Sequence, residues 1–566
     1  MKQTLKRTLG LALTAALALS LFTGCSTPGS KSPDNPNNQS GTSSAGTSTP
    51  GGTASGPKTL RISMTVNPPS LDPQMSNSMA VTTVLYHTTD GLMRNNCGQV
   101  DPAGATGYDV SDDGLTYTFH LRKGNVWSDG QPVTADDYVY GIQRLMDPAT
   151  AAPGSYMGAM LKNANEVLSG ALPVEELGIS APDENTVVVE LAYPAPYFPS
   201  MLSSAALLPT RRDLVEKYGQ DFAATPDKNV YNGPYVVSEF HQDSRLVLTK
   251  NDKYWDKDNV KLDQIEIYIV TDTNTGLSMY ETGQLDVYPD VPSTMASEYK
   301  DKSNLYNNGS MDYLQINLEC DNPYLKNQAF RQALSYGLNR EELLLMTKGG
   351  LPQTTGRLVL PVMPGNDGKT FEESYPYDPY PAAGDAAKAQ ELLAQAMQEL
   401  NVTDASQISF KINYSDSSEA TRKIVEVVQE QWKQTLGIAV ELNPVPYALL
   451  YEYQGTGDFE MMYTGWTPDY DDPVAFLELF QSDGAYNHSH HYNDAYDAEM
   501  KAAQTCTDPK ERNDHLAAAE KIVCEDLPML VLDADRKMAL WDESKVINFQ
   551  TYHIGTLWNA IYTDMA

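Results

Sequence analysis

The segment Gly465-Trp466-Thr467-Pro468-Asp469-Tyr470-Asp471-Asp472-Pro473-Val474-Ala475-Phe476-Leu477 gathers three carboxylates among aromatic rings, directly after a strand-like run from Phe459 to Tyr463. Acids and rings presented together where a strand ends make a site for a cation with an apolar body. The carboxylate supplies the charge and the rings shield it from water. Asp469, between Trp466 and Tyr470, is the candidate anchor. Asp472, directly before Pro473, suits the cap of a helix containing Phe476 and Leu477. An acidic surface loop would have the same composition, so the function depends on what else the chain carries. His488-Ser489-His490-His491 places imidazoles at alternate positions, a spacing that suits Zn or Ni, but without an obvious carboxylate partner it reads as a polar loop between Phe480 and Tyr492. The chain has no G-x-S-x-G elbow, no H-E-x-x-H, no P-loop and no G-x-G-x-x-G after a strand. Its many acids and tyrosines would suit a glycosidase cleft, yet nothing in the sequence fixes a carboxylate separation. No catalytic residue, metal ligand or cofactor is expected.

The elements that must position these residues are legible from periodicity. Leu115 to Leu121 alternates in period two as a half-buried strand, Asp129-Gly130 turns the chain, and Thr134 stands as N-cap before Ala135-Asp136-Asp137. Ile265 to Ile269 is a second alternating strand. Towards the C-terminus helix and strand alternate as they do in an α/β lobe. Asp385 to Leu400 is one amphipathic helix. Ile424, Val427, Val428, Trp432 and Leu436 form one face of another, which Gly437 ends before Ile438, Val440 and Leu442 alternate as a strand.

At the other end, Lys2, Lys6 and Arg7 precede an apolar run from Leu9 to Phe22, too short for the roughly 20 residues that cross a bilayer. This is an export signal, closed by Thr23-Gly24-Cys25 in the manner of a lipoprotein cleavage site. Ser26 to Pro57 is Ser, Thr, Gly, Pro and Asn with no large apolar residue, which predicts a flexible tether. The remainder exceeds what one core usually organises, so at least two lobes are expected. The formal charge of -34 includes the leader's three positive charges, so the mature chain is more negative still. Nucleic acid and anionic lipid head groups are poor partners for it. Cys97, Cys320, Cys506 and Cys524 show no C-x-x-C spacing; Cys506 and Cys524 sit near opposite poles of a helical hairpin and are not expected to pair, and a Cys97–Cys320 pairing is left open.

The Trp466-to-Tyr470 run resembles the signature of the peptide-binding lipoproteins that serve ATP-driven importers, the oligopeptide and dipeptide solute-binding family. The stretch from Tyr117 to Asp137 is similar to a second, structural signature of that family. Weaker matches follow in order: Tyr231 to Tyr235, Lys250 to Trp255, Gly283 to Val287, Gln315 to Asn317 and Phe330 to Arg340. Together they span roughly residues 60 to 546. The resemblance implies a two-lobed α/β periplasmic-binding-protein-like fold with an extra subdomain. It divides the chain into a leader at 1–24, a lipidated Cys25 and tether at 25–57, lobe I at 58–88, 210–308 and 535–566, subdomain II at 89–209, and lobe III at 309–534. Closure is expected about strands crossing between lobes near Tyr231 and again near the C-terminus. The resemblance also implies a diacylglycerol on Cys25, a peptide ligand, permease subunits of an ABC importer as partners, and a monomer held on the outer face of the membrane. Asp469 would take the ligand's ammonium. Gly465, Trp466, Thr467, Asn77, Ser78 and Met79 would pair with its backbone, with Tyr470 beside them. At the carboxylate end the chain departs from the family: Lys348 stands where a basic residue meets longer ligands, Tyr463 replaces an Arg, Thr421 falls near a His, and Arg422 is the neighbouring substitute cation. Ligand length is therefore open, and a peptide sensor, a binder of metal chelates or sugars, and a secreted carbohydrate hydrolase remain as alternatives.

Overall fold

A computed structural model describes residues 56–566 apart from 76, 77, 97, 485, 552, 553 and 555; Cys25, the leader, the tether, Asn77 and Cys97 therefore lie outside the described residues. The first lobe is built on the strand Thr59–Met64, which runs parallel to Gln264–Ile269; Arg245–Lys250 and Tyr235–His241 continue the sheet antiparallel. Alternation drives it: Leu60, Ile62, Ile265 and Ile267 turn inward onto Val84, Tyr235 and Trp558. The helix Met79–Thr88, capped by Ser78, covers this core. His87 in that helix is held neutral by burial, its pKa lowered to about 4. The buried ring accepts from the Ala560 N–H and lies against the Thr83 carbonyl, which ties the C-terminal segment to the lobe.

An inserted subdomain follows the first helix. Ala105–Val110, Thr116–Leu121, Thr186–Glu190 and Ile179–Asp183 form a four-stranded antiparallel sheet, and the helix Ala135–Met146 packs on it through Tyr138, Ile142 and Leu145. The run expected to be structural is so. Asp137 closes a capping box with Thr134 and also accepts from the Trp127 indole at 3.1 Å.

In the third lobe a mixed sheet, in the order Ala439–Val445, Ser409–Ser415, Met461–Trp466, Asn304–Ile316 and Met529–Trp541, carries helices on both faces. Gln328–Tyr336, Ala386–Glu399 and Glu419–Leu436 cover one face through Phe330, Leu392 and Trp432; Asp494–Thr505 and Pro509–Asp526 cover the other through Tyr496, Leu516 and Val523. The helix ending at Leu436 buries Val425 where periodicity placed Val427, which is only half-buried, and Gly437 terminates it in the left-handed conformation. Cys506 and Cys524 are free thiols, as is Cys320.

Two strands of 13 residues each, Asn304–Ile316 and Met529–Trp541, pair antiparallel and belong to both lobes. At its far end the second also pairs with Val287 and Tyr288 of the first sheet. The register shifts between Asn307 and Met311, where Gly309 takes a φ of 75°. This pair is the crossing. The crossing expected near Tyr231 is absent there, because Tyr231 is buried in the first lobe's core and its carbonyl accepts from Ser128 of the inserted subdomain at 2.7 Å.

Candidate functional site

The strand Met461–Trp466 delivers the acidic segment into the space between the lobes. One edge of it pairs with Asn304–Ile316 from Met461 to Trp466, but the other pairs with Ser409–Ser415 only at Met461 and Met462. From Tyr463 onward that second edge faces a cavity, and its backbone groups are available to an added strand. Glycine at 465 suits the crowding behind it: a Cβ there would meet the Met311 carbonyl oxygen at 2.9 Å.

Beyond Trp466 the loop is pinned at several points. The Trp466 indole donates to the Ala475 carbonyl at 2.8 Å. Asp472 Oδ1 accepts from the Val474 N–H at 2.9 Å, but the N-cap position of the turn Val474–Leu477 is held by Pro473 and not by Asp472 as expected, and both Asp472 oxygens receive the buried Arg512 guanidinium at 2.8 and 2.9 Å. Tyr470 is buried and stacks on Tyr197 of the inserted subdomain, ring centroids 5.0 Å apart and nearly parallel. The expectation that Tyr470 contacts a ligand is thereby corrected, since its ring is part of a core and fixes the loop from behind. The chain bends at Asp469 and Tyr470, and while Tyr470 is buried against Tyr197, Asp469 lines the cavity.

Asp469 stands where two compartments of about 590 Å³ each meet, and Tyr156, Tyr451 and Thr467 line both with it. Ser78 and Met79 of the first lobe, with Ala205 from the 89–209 insertion, close one compartment; Tyr447, Tyr463, Gly465, Trp466 and Tyr486 line the other. The cavity therefore brings together Asp469, Gly465, Trp466, Thr467, Ser78 and Met79. The Tyr156 hydroxyl donates to Asp469 Oδ2 at 2.8 Å. No cation pairs with Asp469 among the described residues. Burial raises its pKa above the ordinary carboxylate value, partly offset by the Tyr156 bond. Behind it, Glu478 is raised to about 7, first by burial and then by the Asp469 and Asp472 charges, against a lowering bond from Tyr470. Sequence reasoning missed Tyr156, Tyr451, Tyr486 and Glu478. The only advance sign of the three tyrosines was composition, 34 tyrosines against 12 phenylalanines.

The cations expected at the carboxylate end are occupied elsewhere. Lys348 Nζ lies 2.6 Å from Asp312 Oδ2, 2.8 Å from Asp533 Oδ2 and 3.9 Å from Asp535 Oδ1, against carboxylates of the two crossing strands, and Lys348 lines neither compartment. Tyr463 lines the cavity but donates its hydroxyl to Asp312 at 2.6 Å. Arg422 is exposed and pairs with Glu426 along its own helix at 2.7 Å; only its neighbour Thr421 reaches the cavity. Lys348 and Arg422 are thus corrected from ligand contacts to structural partners. Asp533 is raised to about 7, chiefly by burial, with Lys348 lowering it and Asp312 raising it. A folded state that holds this proton while the unfolded chain releases it loses stability as pH rises towards 7. Lys348→Met would extend that loss to higher pH, so urea denaturation should show the variant more destabilised at pH 8 than at pH 5.5.

The histidine cluster does not converge. His491 is buried against the Phe480 carbonyl and 3.0 Å from Asp526, His490 lies 3.7 Å from Glu319, and His488 packs beside Tyr486. Among the described residues no group of three or more His, Cys, Asp or Glu is arranged to hold a metal ion. A larger groove of about 1150 Å³ is cut into the third lobe alone, by residues such as Asn317, Cys320, Lys411 and Asn443. Lobe motion would not close it.

A family model described as bacterial extracellular solute-binding proteins, family 5 Middle, matches residues 99–488. The dipeptide-binding protein DppE of Bacillus subtilis (strain 168) is 30% identical over 484 residues, covering 84% of this chain and 86% of that protein. The oligopeptide-binding protein OppA of the same organism is 30% identical over 481 residues, covering 84% and 87%. Among solved structures, Listeria monocytogenes OppA bound to peptide superposes with a TM-score of 0.72 at 29% identity, over 90% of this chain and all of that one (100%). The likeness extends to the architecture, two α/β lobes joined by shared strands with a further subdomain inserted.

Proposed function

Because this chain belongs to the bacterial extracellular solute-binding proteins of family 5 and so works outside the cytoplasm, we propose that it captures peptides in the interlobe cleft and delivers them to the permease of an ABC importer. Asp469 carries the reading: a shielded carboxylate with no cationic partner among the described residues, placed where two cavities meet. It takes the peptide's N-terminal ammonium through a charge-assisted bond. The unpaired edge of Met461–Trp466 takes the peptide backbone as an added strand, which satisfies N–H and C=O groups whatever the side chains are. The printed names of the relatives, which include dipeptide- and oligopeptide-binding proteins, support the same ligand class.

The lobes follow the divisions given above, with 58–88, 210–308 and 535–566 closing on 309–534 about the two long strands. A diacylglycerol on Cys25 and the tether to residue 57 hold the monomer at the outer face of the membrane. Native mass spectrometry of protein purified from its own host tests the ligand class. Co-purifying peptides are expected; a sugar, a metal chelate or turnover of a carbohydrate would contradict the reading. Peptide affinity should also be lost on both sides of neutrality. Below it, Asp469 protonates at a pH above the ordinary carboxylate range; above about 8, the free α-amine loses its proton. Calorimetry across pH 4 to 9 checks both limbs.

A further inference from the structure

Resting on that reading of Asp469, we infer that the cleft recognises a cationic chain end and supplies no counter-charge for a carboxylate. Its ligands are peptides whose C-terminal carboxylate is either masked or carried beyond the two compartments by length. Neither compartment is lined by a lysine, arginine or histidine among the described residues. Asp469 is the one charged group of the lining; the remainder is tyrosine, tryptophan, methionine, leucine, proline, small residues, hydroxyls and the uncharged amide of Gln454, which donates to Gln315 at 2.7 Å.

Four cations near the cleft are already neutralised. Arg512, behind the Asp469 loop, is bidentate to Asp472. Lys348, reached through Tyr463 and Asp312, faces three carboxylates. Arg94, near Thr82 and Ala205, pairs with Asp90, and Arg422 pairs with Glu426 on the helix surface. His488, beside Tyr486, is held towards its neutral form by burial. A carboxylate brought inside would be desolvated with no cation to meet it, and would stand near Asp469 and Glu478. The aromatic lining acts in the same direction, since ring faces attract cations and repel anions. Chain length relieves the conflict. Each further residue carries the C-terminus up to about 3.5 Å onward when extended, back towards solvent.

Calorimetry and displacement with lysine-containing peptides of three and nine residues test this, each peptide made as free acid and as C-terminal amide. The three-residue amide should displace the nine-residue peptide and bind at least roughly tenfold tighter than its free acid, a difference of about 1.4 kcal/mol; the two nine-residue forms should agree within about twofold. Thr421→Arg, which installs a cation at the cavity wall, should reverse the preference of the short pair. A short free acid that binds as tightly as its amide, or tighter, overturns the inference and points to the helix starting at Met79 as a carboxylate site. Failure of the short amide to displace the long peptide overturns it equally. N-acetylated controls separate this from the underlying reading: if they bind as well as free amines, the role of Asp469 fails whatever the carboxylate comparison gives.

Discussion

Asp469→Asn is expected to weaken peptide binding by about 10- to 150-fold, the equivalent of 1.5–3 kcal/mol for a charge-assisted hydrogen bond in a shielded site. The substitution keeps shape and keeps an oxygen for the Tyr156 hydroxyl, which donates to it at 2.8 Å. It removes only the charge. Because the wild-type carboxylate is partly buried without a cation, folding bears a cost that the ligand's ammonium offsets on binding. The variant should therefore be at least as stable as the wild type in the absence of peptide while binding far less well. Equal affinity of the two proteins in calorimetry would remove Asp469 from the site.

The second large effect concerns stability. Arg512 and Asp472 are both buried, and the guanidinium is bonded to both carboxylate oxygens. Arg512→Met leaves a buried carboxylate without its cation, which costs about 3–5 kcal/mol. Urea denaturation should show a correspondingly lower midpoint. Removing the charge from the other side should recover most of the loss, because Asp472→Asn still accepts from the Val474 N–H at 2.9 Å while no longer needing the guanidinium. The double variant is thus expected to be closer to wild type than Arg512→Met alone. A double variant as unstable as the sum of the two single changes would mean that the pair does not act as a unit.

Asp469 was legible in the sequence because everything that presents it is local: a strand, a short loop and a helix cap within a dozen residues. The aromatic partners were not, because Tyr156, Tyr451 and Tyr486 come from three separate regions that only the tertiary fold brings together. Tyr470 was misread because sequence proximity to Asp469 does not say that one side chain lines the cavity and the other packs onto Tyr197. Lys348 reads as a free cation until Asp312 and Asp533, more than 200 residues apart, are placed opposite each other by pairing of the two long strands. Those strands were themselves hidden. Asn307-Asn308-Gly309-Ser310 interrupts the apolar alternation of the first, and the structure absorbs the interruption as a bulge. Elements whose signal is continuous, such as Thr116–Leu121 and Glu419–Leu436, emerged close to where periodicity put them.

The most direct test is a thermodynamic cycle crossing Asp469→Asn with N-acetylation of one nine-residue peptide, all four affinities measured by calorimetry. If the carboxylate and the ammonium meet, each change alone weakens binding strongly and the second adds little, so the variant should bind free and acetylated peptide alike. If the variant still prefers the free amine as strongly as the wild type does, the ammonium is held elsewhere and the account fails.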